Sequence, residues 1–385
     1  MRLLLTGATG LLGGELLVRL AARRDVERIY AVVRSRHGEP AAQRLQAVFA
    51  VHRDAFDPER VVVIDGELVD PRFIAQLAAT PGIADVDVVV HAAANTSFMR
   101  MNDALIEATN VDALERFVGW AAELPHLQRF AYLGTAMICG TAARPGPISE
   151  DESPSPTANH LVPYTSSKAR AELALQRALP AARRLVVRPS IVMGDSRPLV
   201  PRSPAILWAM AALNRLRLLP VDADAALDIV SVDYAADAIC ALLFAGASGV
   251  YHVSSGPGGA TSARRLAATL ARHFGGPPFC FVSASLFPSI QRWAKGQAPE
   301  EGGELRAYGR YLNYWRDSFC DARRLRAVLA ALEPYLRFME LGHVFDNRRL
   351  LAATELRTPP PAHIYMEPAM RYLTTIDIVG EAADP

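Results

Sequence analysis

Leu3-Leu4-Leu5-Thr6-Gly7-Ala8-Thr9-Gly10-Leu11-Leu12-Gly13-Gly14 is the stretch on which the reading of the fold turns. A short apolar run leads into glycines at 7, 10 and 13, and these open onto a helical pattern over 11–23. Each glycine has a separate use in a strand-to-helix turn that holds a dinucleotide. Gly7 permits the tight turn, Gly10 lets backbone amides approach a pyrophosphate, and Gly13 lets the helix pack close to the strand. The helix N-terminus adds partial positive charge for the phosphates. Thr9, Leu11 and Leu12 complete the expected cofactor loop. The spacing is GxxGxxG rather than GxGxxG, and no GxxxxGK[ST] occurs, which disfavours a P-loop ATPase.

Outward from this loop the chain alternates. Residues 2–6, 28–34, 61–64, 86–91, 128–134 and 184–188 read as strands, and 11–23, 40–52, 71–79, 103–123 and 163–179 as helices. Strands alternating with helices of this length predict right-handed βαβ units and a parallel sheet covered on both faces. The fold class is therefore α/β, a Rossmann-type doubly wound parallel sheet. After residue 190 the rhythm loosens. Residues 195–204, with Pro198, Pro201 and Pro204, are expected to form a mobile connection, and 205–219 an apolar helical stripe suited to a core, an acyl tail or a membrane surface. Further helices are expected at 261–274, 321–332 and 346–356. The expected division is a dinucleotide-binding Rossmann domain of 1–194 plus 226–275, and a smaller, mostly helical substrate lobe of 195–225 plus 276–385.

Composition narrows the function class. The 385 residues are 51% hydrophobic, with 41 basic and 40 acidic side chains and a net charge of +1. That is enough apolar matter for a large core and no global field for nucleic acid. Cys139, Cys240, Cys280 and Cys320 form no CxxC pair, so neither a zinc finger nor a disulfide scaffold is expected. The N-terminal apolar run is broken by Thr6, Thr9 and the glycines, unlike a signal peptide, and no 18-residue apolar run follows. A soluble, cytoplasmic protein is expected.

The strand ends name the cofactor. The run Ile29–Val33 ends in Arg34, with Arg36 two residues on and no acid in that turn. An acid there accepts from the ribose 2′-hydroxyl of NAD, whereas guanidinium groups can pair with the 2′-phosphate of NADP(H), the cofactor expected here; the alternative is two solvated arginines on a loop. Glu67, next to Leu68 at the end of the third strand, either accepts from the adenine amino group or serves the turn. The fourth strand ends His91-Ala92-Ala93. Ala92 and Ala93 let the backbone lie against the cofactor, and His91 reads as a packed structural histidine.

Tyr164-Thr165-Ser166-Ser167-Lys168 is a YxxxK at the start of a helix, and this spacing puts both side chains on one face. The ammonium is expected to lower the phenol pKa, so that Tyr164 can exchange the proton that accompanies hydride transfer. Lys168 can also bond the nicotinamide ribose. Thr135 follows the fifth strand, at the edge where parallel-sheet ligands bind, and can polarise a substrate carbonyl together with Tyr164. Asn110 is a further candidate, anchoring either a lysine-bound water or the helix backbone.

Taken together these residues resemble the extended short-chain dehydrogenase/reductase family, and within it the fatty acyl-CoA reductase and carboxylic-acid (thioester) reductase branch. The likeness is carried by TGATGLLGGELL at 6–17, VVVHAAANTSF at 88–98, NVDALERFV at 110–118, VVRPSIVMGDS at 186–196 and LDIVSVDYAADAI at 227–239, with YHVSSG at 251–256 and HVFDNRRLLAATEL at 343–356. The resemblance implies bound NADPH and a carbonyl polarised by Thr135 and Tyr164. It also implies that Pro189, Ser190 and Ile191 bring backbone to the nicotinamide carboxamide. For a thioester, hydride addition gives a hemithioacetal that expels thiolate and leaves an aldehyde. One departure is Leu133-Gly134-Thr135, where the family often has Ser-Thr. No adenylation or carrier-protein motif is recognisable, so the acyl group, on CoA or an acyl carrier protein, is expected to arrive activated.

The leading expectation is an NADPH-dependent reductase of an acyl thioester to an aldehyde and, if reduction continues, an alcohol. The same Thr/Tyr/Lys chemistry serves sugar-nucleotide epimerases or dehydratases and hydroxysteroid-type dehydrogenases, and fold does not decide among them. A non-catalytic NADP-binding regulator is the alternative from another class, and it has no need of Thr135, Tyr164 and Lys168 in register.

Overall fold

The computed structural model describes the chain except residues 37, 99–101, 143–145, 198–203, 298–302 and 384–385. Seven parallel strands form the central sheet: β1 Arg2–Thr6, β2 Arg28–Val33, β3 Val61–Asp65, β4 Val88–His91, β5 Arg129–Leu133, β6 Arg184–Pro189 and β7 Gly249–Val253. Their order is β7-β6-β5-β4-β1-β2-β3. The order reverses between β1 and β4, which places the crevice of a doubly wound sheet at the end of β1, where the glycines lie.

The strands read as unbroken apolar runs because both faces of the sheet are covered. Leu3 and Leu5 of β1 point to the side packed by Leu16, Leu17 and Leu20 of helix Leu11–Ala21 and by Ile239 and Leu242 of helix Val232–Phe244. Leu4, between them, points to the other side, with Phe117 of helix Ala113–Ala122 and Leu175 of helix Pro163–Ala178. The strand β7 was not anticipated. It is a short edge strand that begins on a positive-φ glycine and carries His252, so its pattern is weak in isolation.

A second core lies in the lobe. Leu207, Trp208, Met210 and Leu213 of helix Pro204–Leu216 are buried with Trp293, Trp315, Leu329, Leu332 and Met370. The apolar stripe at 205–219 is thus lobe core, and Trp208 Nε1 donates to the Ile378 carbonyl at 2.7 Å. The helix Ala263–His273 sends Ala263, Leu266 and Leu270 into the same core, although the sequence division groups it with the nucleotide domain. Helix Ala322–Glu340 runs eight residues past the expected end, carrying Pro334 in its interior. The expected mobile connection at Pro198 and Pro201 lies outside the described residues. Among the described residues no helix is long and apolar enough to cross a membrane.

Candidate active site

The glycine loop is built as its spacing predicts. Gly7 has φ +73°, and a Cβ there would lie 2.6 Å from the Ala93 amide nitrogen and 2.7 Å from the Ala92 carbonyl carbon. Ala92 and Ala93 thus form the wall on which the turn rests. A Cβ on Gly13 would meet the Gly7 carbonyl oxygen at 2.0 Å. Gly10 is exposed, donates its amide to Gly7 O at 2.9 Å, and begins helix Leu11–Ala21 with neither a side-chain cap nor an acid in the first turn. The first amides of that helix are left for an anion, and the glycines leave the space that a pyrophosphate needs. The residues present fit a dinucleotide.

At the far end of the crevice, Arg34 Nη1 donates to Glu67 Oε1 at 2.8 Å, both side chains being about half exposed (52% and 48%). The turn between them is held by Asp65, whose carboxylate accepts from Ser35 N at 3.0 Å and Ser35 Oγ at 2.6 Å. Arg36 exchanges backbone bonds with Glu39 and is exposed. Leu68 is buried at this rim. Sequence reading missed Arg44. From helix Ala41–Val51 its guanidinium donates to the Arg34 carbonyl and reaches Thr9 Oγ1 at 3.4 Å, so it spans the glycine loop and the second strand end. A basic residue in the first turn of the helix after β2 was the available signal.

At the other end, Lys168 is buried and donates from Nζ to the Leu133 carbonyl at 2.6 Å, 4.2 Å from the centroid of the Tyr132 ring. Leu133 ends β5, and Thr135 follows two residues later. Thr135 is 7% exposed, and its Oγ1 accepts from Met137 N at 3.3 Å, which leaves its own proton to donate. Tyr164 is the second residue of helix Pro163–Ala178, four before Lys168. Thr135, Tyr164 and Lys168 are therefore gathered around the C-terminal end of β5.

The electrostatics differ from the expectation. Burial pushes the Tyr164 phenol up to about 12, and burial lowers Lys168 to about 7 against the opposing charge of Glu172. The ammonium is directed at Leu133 O and the Tyr132 ring, so it does not depress the phenol; desolvation governs instead. The Tyr164 phenol therefore holds its proton at neutral pH. His91 is packed, as expected: its Nδ1 lies 2.9 Å from Thr6 Oγ1, its ring stacks on Tyr132, and burial drives its pKa down to about 3.

Asn110 sits on a π-helical turn, Ala108–Asp112, and its side chain clamps two neighbours. Oδ1 accepts from Asn95 N at 2.7 Å, while Nδ2 donates to Asn95 O and Ser167 Oγ, each at 2.9 Å. Both amide hydrogens are used inside the protein, so Asn110 joins the loop after β4 to the Tyr164 helix. A buried pair missed from the sequence, Arg188 Nε to Glu172 Oε2 at 3.0 Å, ties that helix to β6. Pro189 and Ser190 are buried and Ile191 half-buried just beyond; Ser190 N donates to Val253 O at 3.0 Å and Ile191 N to Asp228 O at 3.2 Å.

Residues 5–239 match the NAD-binding family described as male sterility protein. The chain belongs to this male sterility protein family. With it goes a place among the extended short-chain dehydrogenases/reductases, on the branch of thioester and fatty acyl-CoA reductases. As a member of the family, the chain is 31% identical to peramine synthetase A of Epichloe festucae (strain Fl1) over 223 residues, 55% of this chain and 8% of that protein. Fatty acyl-CoA reductase 1 of Gallus gallus is 25% identical over 271 residues, 60% of this chain and 52% of that protein. The chain thus spans about half of one relative and a small part of the other. The fold is shared with the terminal R domain from the myxalamid PKS-NRPS biosynthetic pathway. There the TM-score is 0.71 at 22% identity, covering 97% of this chain and 90% of that one.

Proposed function

We propose that this protein is an NADPH-dependent reductase that converts acyl thioesters, on CoA or a carrier protein, to aldehydes. The observation that carries the reading is the gathering of Thr135, Tyr164 and Lys168 at the end of β5, with the Tyr164 phenol held protonated by burial. A reductase needs a proton donor facing the carbonyl oxygen, whereas the reverse oxidation needs a base. A phenol pushed up to about 12 serves the first need.

The chain's own residues divide the work. Tyr164 and Thr135 donate hydrogen bonds to the thioester oxygen, and these bonds strengthen as negative charge develops on it. Tyr164 then passes its proton to that oxygen. Lys168, fixed by Leu133 O, supplies positive charge beside the two donors and bonds the nicotinamide ribose. When bound, reduced dinucleotide supplies the hydride that adds to the carbonyl carbon. The resulting hemithioacetal returns its proton to the Tyr164 phenolate, the C–S bond breaks, and the expelled thiolate takes a proton from water as the aldehyde leaves. The preference for NADPH rests on Arg34, Arg36 and Arg44 around the end of β2, where cations would meet a 2′-phosphate.

The test follows NADPH absorbance and free thiol together with long-chain acyl-CoA, acyl-pantetheine thioesters, the matching aldehydes and a UDP-sugar. Equal NADPH consumption and thiol release is expected with the thioesters, and two NADPH per thiol would extend the product to alcohol. Turnover of aldehydes alone would overturn the thioester reading.

A further inference from the structure

The side chain packed against the Tyr164 ring comes from an element with no part in the proton chemistry. Phe98 lies on the loop after β4, with ring centroids 6.3 Å from Tyr164, 5.1 Å from Tyr335 and 5.4 Å from Phe338. Tyr335 and Phe338 are three apart on lobe helix Ala322–Glu340, hence on one face, and Tyr335 also packs at 5.9 Å on the buried Trp208. The two halves of the protein therefore meet in aromatic carbon beside the phenol.

Two features make this a surface for a ligand rather than more core. Phe98, Tyr164, Tyr335 and Phe338 are only half-buried, unlike Trp208 behind them at 1% exposure. Side-chain bonds also hold the chain just ahead of Phe98. Asn110 holds both backbone groups of Asn95, Ser97 N donates to Asn95 Oδ1 at 3.0 Å, and Asn102 Nδ2 donates to Ser97 Oγ at 2.9 Å. Asn110 also donates to Ser167 Oγ, and that hydroxyl lies 2.8 Å from the Tyr164 carbonyl, so one side chain ties the loop of Asn95 to the first turn of the Tyr164 helix.

We infer that Phe98, with Tyr335 and Phe338, is the wall on which the acyl substituent packs, so that the favoured substrates carry an uncharged apolar substituent there and Phe98 sets the bulk tolerated beside the thioester carbonyl. This rests on the thioester reading above. The four side chains offer two phenol oxygens as their polar atoms and no charge, so a charged group placed against them loses its water without gaining a counter-ion. An apolar group of matching shape gains dispersion and burial on the same surface.

The experiment measures kcat/KM with butyryl, 2-methylbutyryl, octanoyl and glycyl pantetheine thioesters for the native protein, Phe98→Ala and Phe98→Leu, with NADPH binding followed by fluorescence. The native protein is expected to favour octanoyl over glycyl by about a hundredfold or more, the upper range for apolar-pocket discrimination. Phe98→Ala is expected to raise the 2-methylbutyryl to butyryl ratio by roughly tenfold, the scale of a methylene-sized change in such a pocket, with Phe98→Leu between. NADPH binding should stay unchanged, which reports an intact fold. Ratios unchanged in both variants would overturn the assignment, and so would a glycyl thioester used as well as octanoyl, which would mean a cation-binding aromatic box. Absence of turnover with every thioester would instead defeat the reading on which the assignment stands.

Discussion

Arg34 Nη1 lies 2.8 Å from Glu67 Oε1, across the C-terminal ends of the paired strands β2 and β3. On the NADPH reading proposed above, the two side chains nearest a 2′-phosphate would be these, and they already hold each other. A 2′-phosphate arriving there gains a guanidinium only by sharing it with a carboxylate, so Arg34 and Glu67 should push cofactor affinity in opposite directions. Arg34→Ala is expected to weaken NADPH binding by about tenfold or more, the worth of a charge-assisted hydrogen bond, with little effect on NADH. Glu67→Gln should tighten NADPH binding a few-fold and leave stability within about 1 kcal/mol, because an exposed pair contributes little. Fluorescence titration with both cofactors checks this. Equal losses for NADH and NADPH in either variant would assign these residues to adenine or to the turn.

Tyr164→Phe removes the proton donor and keeps the ring against Phe98. Turnover should fall by roughly 10²–10⁴-fold, the range for loss of a positioned general acid. Cofactor affinity should not change, since the glycine loop and Lys168 are untouched. Retained turnover would end the role given to Tyr164.

How much of this was legible in the chain depends on the distance over which each feature is decided. The turn from β1 into its helix is local, and Gly7, Gly10 and Gly13 announce it; the first six strands likewise show in short β-branched runs. The lobe is different. Its core joins Trp208, Trp315 and Met370, which no periodicity connects, and Pro334 disguises the length of helix Ala322–Glu340. Phe98 could be read as part of a family stretch, but its partner Tyr335 lies far along the chain. Arg44 matters only because its helix approaches Thr9. The spacing of Tyr164 and Lys168 shows that a charge is near, but neither that the ammonium is directed at Leu133 O nor that burial raises the phenol pKa.

Glycines in this chain are not equivalent, and two alanine substitutions should show it. At Gly13 a methyl group would lie 2.0 Å from the Gly7 carbonyl oxygen, so helix and strand must part. Gly13→Ala is expected to abolish NADPH binding and lower Tm. At Gly119, exposed inside helix Ala113–Ala122, a Cβ meets nothing within 4 Å. Gly119→Ala should raise stability by about 0.4–1 kcal/mol through lost unfolded-chain entropy. Thermal melts with and without NADPH separate the two, and a Gly13→Ala protein that still binds cofactor would contradict the close-packing account.

The buried Lys168 should leave a signature in both stability and rate. Burial lowers its pKa from 10.5 to about 7, so the folded protein gives up this proton more readily than the unfolded chain does. Between those values the unfolded state holds the extra proton, and stability from this group therefore rises with pH, by up to about 1.4 kcal/mol per unit. Below pH 7 the full cost of the buried charge is present; above 10.5 it is relieved. Lys168→Met removes the charge, so the variant's gain in stability should be greatest at pH 6 and shrink as pH rises. Catalysis should run the other way. The charge beside the carbonyl oxygen is lost as pH rises through about 7, so kcat/KM should decline above neutrality, while Tyr164, at about 12, keeps its proton throughout. Chemical denaturation of both proteins at pH 6, 8 and 9.5, alongside a pH–rate profile, measures the two slopes. A stability difference between them that does not vary with pH would show that Lys168 titrates near its ordinary value, and the expected decline in rate would then have to come from another group.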